Sequence, residues 1–563
     1  VSSEKTMVEQ LAEWAHSVDW NSLSDEAKEG LKGRVLDSVG TAIGALNGEP
    51  VRNIRRMTEH LGDESHVTLI GGGKTTPDYA TFYNGAAVRY PDFNDSYLAK
   101  EETGHPSNNI APVLAAAEYA GTSGKDFLLA LAVAYQVQCR LSDVAPARKH
   151  GFDHTVQGAY GAAAGAARAM KLHSSQIANA ISIAGTGYNS LRVTRTGELS
   201  NWKGLAYPNT AMGAVHASML AKYGITGPRE VFEGNKGLMD SIADDFTINW
   251  EKEDLERVTD TIIKRFNAEI HSQSSIEGLL EIRSLENIKP ENIKEIRLTT
   301  FDVAYNIIGG GEEGSKKLIR YKEEADHSLP YMLAAAYLDG QVMPEQYEPE
   351  RIMRDDIQDL LQKVDVQPND EYSSRFPDEM ACRIELETQD GRIFNVEKRD
   401  YQGFKTQPAS WDVLMEKYNK LTRDIDSTLA AKIADTIKNL ENVHISELTE
   451  TMDLKSTCLL ITARSSSWRC SAAASGAPRT CGDVSLRLMK MNKYTGAVDN
   501  RAQFSARLFF GLRKPLAIYK AIARINVNKP LIQPSPFLKR LRFRYNRQQI
   551  ILNTSLSAKE GCT

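Results

Sequence analysis

Three stretches between residues 111 and 225 are dominated by alanine and glycine: APVLAAAEYAG (111–121), GAYGAAAGAARAM (158–170) and NTAMGAVHASMLAKYG (209–224). Small side chains let helix axes approach closely, so three such segments in succession predict a tightly packed helical bundle. Polar sequence interrupts them as GFDHTVQG, LRVTRTG and NWKGLAYPN. These interruptions carry groups able to hold or move charge: His154, then Arg192 and Arg195, then Lys203.

A longer polar stretch, YPDFNDSYLAKEETGHPSNNIA (90–111), precedes the bundle between the apolar segments ATFYNGAAVR and PVLAAAEYAG. A polar loop between core helices is where a scaffold presents reactive groups. Asp92 and Asp95, three residues apart, can share one face of a helical turn. Ser96 follows them, and Pro106 pushes the backbone of His105 toward an extended conformation. The plainer reading is a solvated loop with an Asp cap and a helix-starting proline.

Elsewhere the pattern changes in blocks. Residues 4–48 predict two amphipathic helices, the second starting at a Ser-Asp cap. HVTLIGGG (66–73) predicts a short strand entering a turn. GGGKTT lacks the first glycine of a phosphate loop, since position 68 is threonine, and GGGEEG (309–314) has no Lys-Thr pair, so nucleotide binding is rejected. After about residue 255, IKEIRLTTFDVAY (293–305) and ACRIELETQDGRIFNVEKRDY (381–401) alternate as strands, with Asp390-Gly391 at a hairpin turn. HSLPYMLAAAYLDG and DDIQDLLQKV between them read as helices, which makes an α+β insertion. Helical pattern returns over 411–443 and is expected to rejoin the first bundle.

Charge is divided. Residues 451–563 hold 20 Lys and Arg against 4 Asp and Glu, whereas 1–450 hold 48 against 69, balances of +16 and −21. KRLRFRYNRQQ interleaves basic and aromatic residues, which is compatible with nucleic-acid binding; a disordered extension and a frame carried into unrelated sequence are the alternatives. Four of the six cysteines lie in that tail, leaving Cys139 and Cys382 upstream, so neither a disulfide framework nor an iron–sulfur cluster is expected. The run FLLALAVAYQV is too short to span a bilayer, and VSSEKTMVEQLAEWA lacks the pattern of a signal peptide. The expected compartment is the cytoplasm.

To the residues above, KRFNAEIHSQSS adds Lys264, His271 and Gln273, and EADHSLPY adds Asp326, His327 and Tyr331. Singly, each has an ordinary structural explanation. Together they suit elimination of water from a hydroxy-polycarboxylate. That reaction needs a base for a carbon acid, an acid for the departing hydroxyl, and cations for the carboxylates. Dense metal-ligand spacing such as H-E-x-x-H does not occur, which favours metal-free acid–base chemistry without a cofactor.

These segments resemble the MmgE/PrpD family in order over roughly 5–445: LDSVGTAIGA, YPDFNDS…GHPSNNIAPVLAAAE, GFDHTVQGAYGAAAGAA, NWKGLAYPNTA, ITGPREVFEG, KRFNAEIHSQSSIEGLLEI and EADHSLPYMLAAAYLDG. The resemblance implies a mainly α fold, with a large all-helical domain built from both chain ends and a smaller inserted α+β lid domain. The expected boundaries are 1–263 and 406–450 for the helical domain, 264–405 for the lid, and a tail over 451–563 without family counterpart. It implies an active site in the cleft between the domains, and a homodimer. By motif, Asp92, Ser96, His105, His154, Lys203, Lys264 and His271 match family site positions. YLAKEETG, between Ser96 and the His-Pro pair, departs from the decarboxylase branch by its length, and the wording ADHSLPY and HSQSS is closer to microbial 2-methylcitrate dehydratases.

The expectation is a metal-independent hydro-lyase converting 2-methylcitrate, and also citrate, to the dehydrated acid. His105 or His154 would transfer the proton, Asp92 orient a histidine or the hydroxyl, and Lys203 and Lys264 bind carboxylates. His271 joins the catalytic set, and Ser96, Arg192, Arg195, Gln273 and Tyr331 are expected to bind substrate. The alternatives are decarboxylation of cis-aconitate or epimerisation of a dicarboxylate on the same fold, or a non-catalytic scaffold whose basic tail binds nucleic acid.

Overall fold

The small-residue segments form helices, and the middle one buries almost every side chain it carries. In a computed structural model, which describes residues 4–61, 66–99, 101–286 and 288–454, the N-terminal half holds α1 (Met7–Ser17), α2 (Asp25–Gly44), α3 (Glu49–Leu61), α4 (Pro77–Arg89), α5 (Ile110–Ala120), α6 (Gly124–Val144), α7 (Thr155–Ala169), α8 (Ser174–Gly187) and α9 (Trp202–Lys222). The tail from residue 455 onward, with the nucleic-acid reading attached to it, lies outside the described residues. Among the described residues, no helix is long and apolar enough to cross a membrane.

In α7 only Arg168 escapes burial. Its glycines explain how: a Cβ on Gly161 would stand 2.9 Å from the Ala134 carbonyl oxygen of α6, and one on Gly165 would stand 2.7 Å from the Ala134 Cβ. The backbones touch where side chains would otherwise keep them apart. The returning helix Trp411–Leu421 docks on α2 by the same device. Leu414, Tyr418 and Leu421 each come within 2.9 Å of where a Cβ would lie on Gly33, Gly40 and Gly44. The three glycines share one helical face, as do their three partners. The N-terminal helices and the returning helices therefore meet in one helical core.

A second core surrounds a four-stranded sheet of β5 (Ile293–Thr300), β6 (Val364–Pro368), β7 (Cys382–Thr388) and β8 (Ile393–Lys398), after the two short hairpins β1–β2 (Val67–Thr68, Lys74–Thr75) and β3–β4 (Tyr97–Leu98, Thr103–Gly104). The order is β6-β5-β7-β8, with β5 and β6 parallel and the other pairs antiparallel. Cys382, Ile384 and Leu386 alternate inward on β7, beneath the helices Gln273–Glu286 and Leu329–Asp339.

Two sequence expectations need correction. The strand expected over 293–305 stops at Thr300: Asn369 donates its N–H to the Thr300 carbonyl, a helical turn follows at Asp302–Ala304, and a π-helix follows at Tyr305–Gly309. The helix DDIQDLLQKV ends at Gln362, and Val364 instead starts β6, which the amphipathic period had hidden.

Candidate active site

The 90–111 loop is shaped by its own carboxylates. Asp95 does not share a face with Asp92: it accepts from the Ser107 N–H (2.9 Å) and from the Tyr135 hydroxyl (2.9 Å), capping the 3-10 turn Pro106–Asn109. Ser96 and Ile262 exchange backbone hydrogen bonds (2.9 and 2.8 Å), a bridge that sets Lys264 two residues later against Asp92. Lys264 Nζ donates to the Asp92 carboxylate at 2.7 Å and to the Asp92 backbone carbonyl at 2.8 Å. Asp92 sits in the left-handed region at φ 58°, a conformation tolerated by Asp more than by most residues.

Asp92 collects further cations. Arg89 Nη1 donates to it at 2.8 Å, and Lys203 Nζ lies 3.5 Å from its second oxygen. Burial alone would raise this carboxyl; Arg89, Lys264 and Lys203 outweigh that effect and hold it well below the usual range. Asp92 is thus an anion fixed among three cations. Its nearest histidine nitrogen, His327 Nδ1, is 4.0 Å away, so the expected hydrogen bond orienting a histidine is not made.

Lys203 reaches further, donating to Asp326 (2.8 Å) and lying 2.8 Å from His327 Nδ1. Burial lowers its ammonium pKa, against the pull of Asp326 and Asp92. Among the described residues, Asp92, Asp326 and His327 bring possible metal-ligand atoms within 4.8 Å of one another. Lys203 Nζ stands within 3.5 Å of an atom of each, so its own charge occupies the place of a cation there. These residues do not fit a resident metal while Lys203 is ammonium.

The histidines differ in what holds them. His105 Nδ1 lies 2.7 Å from the Asp95 carbonyl and 3.2 Å from Ser96 Oγ; donation to the carbonyl leaves Nε2 with its lone pair. Burial, then Arg89 and Lys264, keep His105 well below its ordinary pKa and hence neutral. His154 packs edge-on against it at 5.6 Å, and burial pulls His154 down to about 3 against the opposing charge of Asp153. Its Nε2 already accepts from Arg195 at 3.4 Å, while Arg195 Nε binds Asp153 at 2.6 Å. His271 Nδ1 lies 2.8 Å from Glu269 Oε1.

His105, His154, Arg192, Arg195, Lys264 and His271 line one cavity of about 70 Å³ together with Arg89, Arg148, Glu102, Glu269, Glu313 and His327. Asp92 lines it too, with Lys203 bonded behind, and Ser96 stands behind His105. Segments from both cores contribute. A larger hollow of about 510 Å³ is lined by Glu233, Asp240, Asp244 and Asp245, which would repel a polycarboxylate.

Two expected residues lie elsewhere. Gln273 spends its amide on the backbone of its own loop, accepting from Arg265 and Phe266 and donating to Phe266 and Ala268. The fully buried Tyr331 donates its hydroxyl to the Gln346 carbonyl inside the sheet core. In EADHSLPY it is Asp326 and His327, not Tyr331, that reach the site. Arg89 and Glu269 escaped the sequence reading: Arg89 ends an apolar helix, where a cation ordinarily serves the helix dipole, and Glu269 looks like an ordinary turn residue.

Family profiles described as the MmgE/PrpD N-terminal and C-terminal domains match residues 9–251 and 266–442. Cis-aconitate decarboxylase of Mus musculus is 25% identical over 475 residues, covering 78% of this chain and 92% of its own. The mitochondrial 2-methylcitrate dehydratase of Yarrowia lipolytica is 25% identical over 470 residues, covering 77% and 88%. The 2-methylcitrate dehydratase of Salmonella typhimurium is 24% identical over 455 residues, covering 75% and 91%.

Proposed function

Because the chain belongs to the MmgE/PrpD family, we propose that it is a hydro-lyase acting on a hydroxy-tricarboxylate, 2-methylcitrate first, with 2-methylaconitate and water as products. The observation that carries this reading is the ring of Arg89, Lys203 and Lys264 around Asp92, beside neutral His105 in the same buried cavity. Cations fixed in a water-poor site stabilise the charge that grows on a carboxylate as the adjacent C–H bond breaks. Lys203 is assigned as the acid for the leaving hydroxyl: burial weakens its hold on the proton, and although it stands behind the cavity wall its ammonium reaches the cavity-lining Asp92 and His327. Arg192 and Arg148 offer cations to the remaining carboxylates.

Decarboxylation of cis-aconitate is the second reading, favoured by the extent of the match to the mouse enzyme of that name. Chelator-treated protein incubated separately with 2-methylcitrate, citrate and cis-aconitate distinguishes them by product mass. Loss of one water from 2-methylcitrate is the expected result. Loss of carbon dioxide from cis-aconitate, with the hydroxy acids untouched, would replace this reading by the second.

A further inference from the structure

A base for the carbon-bound proton needs a ring nitrogen free to accept it and a neighbour that stabilises the imidazolium then formed. His154 fails the first requirement, since its Nε2 already accepts from Arg195. His327 Nδ1 lies 2.8 Å from Asp326, but it also lies 2.8 Å from the Lys203 ammonium, and burial and that cation together outweigh the carboxylate and oppose a second positive charge. His105 is backed by a neutral carbonyl, and Arg89 and Lys264 stand against its protonation.

His271 differs on both counts. Its Nδ1 lies 2.8 Å from Glu269 Oε1, and its backbone N–H donates to Glu269 Oε2 at 2.8 Å, so one carboxylate grips ring and backbone together. Burial would raise the Glu269 carboxyl, but His271, which hydrogen-bonds to it, and the nearby His327 and Lys264 together outweigh this and keep it ionised, at about 2. The ring is 2% exposed at its side chain and packs against Phe301 and Phe376 at 5.7 and 5.6 Å. Its Nε2 is buried without a hydrogen-bond partner, although His271 lines the cavity. An orphaned polar atom of this kind costs about 1–3 kcal/mol, which a bound ligand would relieve.

We propose that His271 Nε2 is the base that removes the carbon-bound proton, and that Glu269 is the positioning residue that fixes the ring with its proton on Nδ1. The proposal rests on the dehydration reading. The C–H bond breaks, its proton goes to Nε2 and its electron pair becomes part of the new C=C bond. The C–O bond breaks as Lys203 gives the departing hydroxyl a proton, releasing water. Solvent then takes the proton from His271 and returns one to Lys203.

The test is deuterium exchange at the substrate carbon in heavy water, followed by mass alongside steady-state turnover. His271→Gln is expected to lose exchange and turnover by about 100-fold or more, the range of general-base contributions. Glu269→Gln is expected to lower kcat about tenfold with KM nearly unchanged, and Glu269→Asp to recover part of that loss. Nitrogen-15 resonances of His271 should place the neutral ring's proton on Nδ1 in wild type and divide it between both nitrogens in Glu269→Gln. A folded His271→Gln protein that exchanges at the wild-type rate, or a wild-type proton on Nε2, overturns the proposal alone. A wild type that neither dehydrates nor exchanges overturns the dehydration reading as well.

Discussion

The Lys264 ammonium binds both the carboxylate and the backbone carbonyl of Asp92, at 2.7 and 2.8 Å, although 172 residues separate them. One side chain therefore ties the charged group of Asp92 to its left-handed backbone. Lys264→Met should abolish turnover and cost about 3 kcal/mol in urea unfolding, because it removes a directly bonded cation from a buried carboxylate and leaves Arg89 and Lys203 to hold it. Asp92→Asn, which keeps tolerance of the left-handed region, should lose activity with a smaller loss of stability than Asp92→Leu.

His154 and Glu269 predict acid lability with one sign. His154 ordinarily titrates near 6.5 and is held at about 3, so between these values the unfolded chain binds the proton that the folded chain refuses. Glu269 ordinarily titrates at 4.5 and is held at about 2, so its contribution disappears as pH falls through that lower window. Both make stability rise with pH. His154 alone should cost about 2 kcal/mol between pH 7 and pH 5. Urea midpoints measured over that range should fall for wild type and fall less steeply in His154→Gln, the remaining slope coming from His105 and His327.

Lys417, on the returning helix, sits directly behind the site. Its ammonium donates to the carbonyls of Phe93 (2.6 Å) and Lys264 (3.0 Å), pairs with Asp37 (2.6 Å) and lies 3.7 Å from the Phe93 ring centroid. It thus holds the backbone at Lys264 and just past Asp92. Lys417→Met should lower kcat about tenfold or more while KM changes little. It should also cost about 3–5 kcal/mol, part of which Asp37→Leu in the same chain restores by removing the stranded charge. Urea unfolding of both single variants and the double variant checks the coupling.

Glycines on α2 predict opposite effects of one substitution. A Cβ at Gly40 would stand 2.9 Å from Tyr418 Cδ2, and the Tyr418 hydroxyl is tied to the Ala430 carbonyl at 2.9 Å. Gly40→Ala should destabilise by about 1–3 kcal/mol despite its better helix propensity. At Gly30 the nearest atoms are 3.7 Å away, so Gly30→Ala should stabilise. Thermal unfolding of the two variants decides the matter, and replacing Tyr418 by Leu should reduce the penalty at Gly40.

The helical half was legible because its signals are local, small residues in α5, α7 and α9 and a Ser cap before α2, and so was the β7–β8 hairpin, with its left-handed Gly391. Strand β6 was not, since its partner β5 lies about seventy residues earlier and nothing in QKVDVQP announces a parallel pairing. Polar motifs led to His105, His154, Lys203, Lys264 and His271, which the fold brings to one place. They also led to Gln273 and Tyr331, because composition does not reveal whether an amide or hydroxyl is already spent on a backbone carbonyl. Arg89 was passed over for the converse reason: only the folded loop places it on Asp92.

The most direct test compares wild type with Lys203→Ala on 2-methylcitrate, following the absorbance of the new conjugated double bond and the mass of the product. Circular dichroism of both proteins runs in parallel. The account predicts steady formation of a product lighter by one water in wild type, and a loss of about 100-fold or more in a Lys203→Ala protein with an unchanged spectrum. A folded Lys203→Ala protein turning over within a few-fold of wild type would contradict it, as would a wild type inert toward 2-methylcitrate.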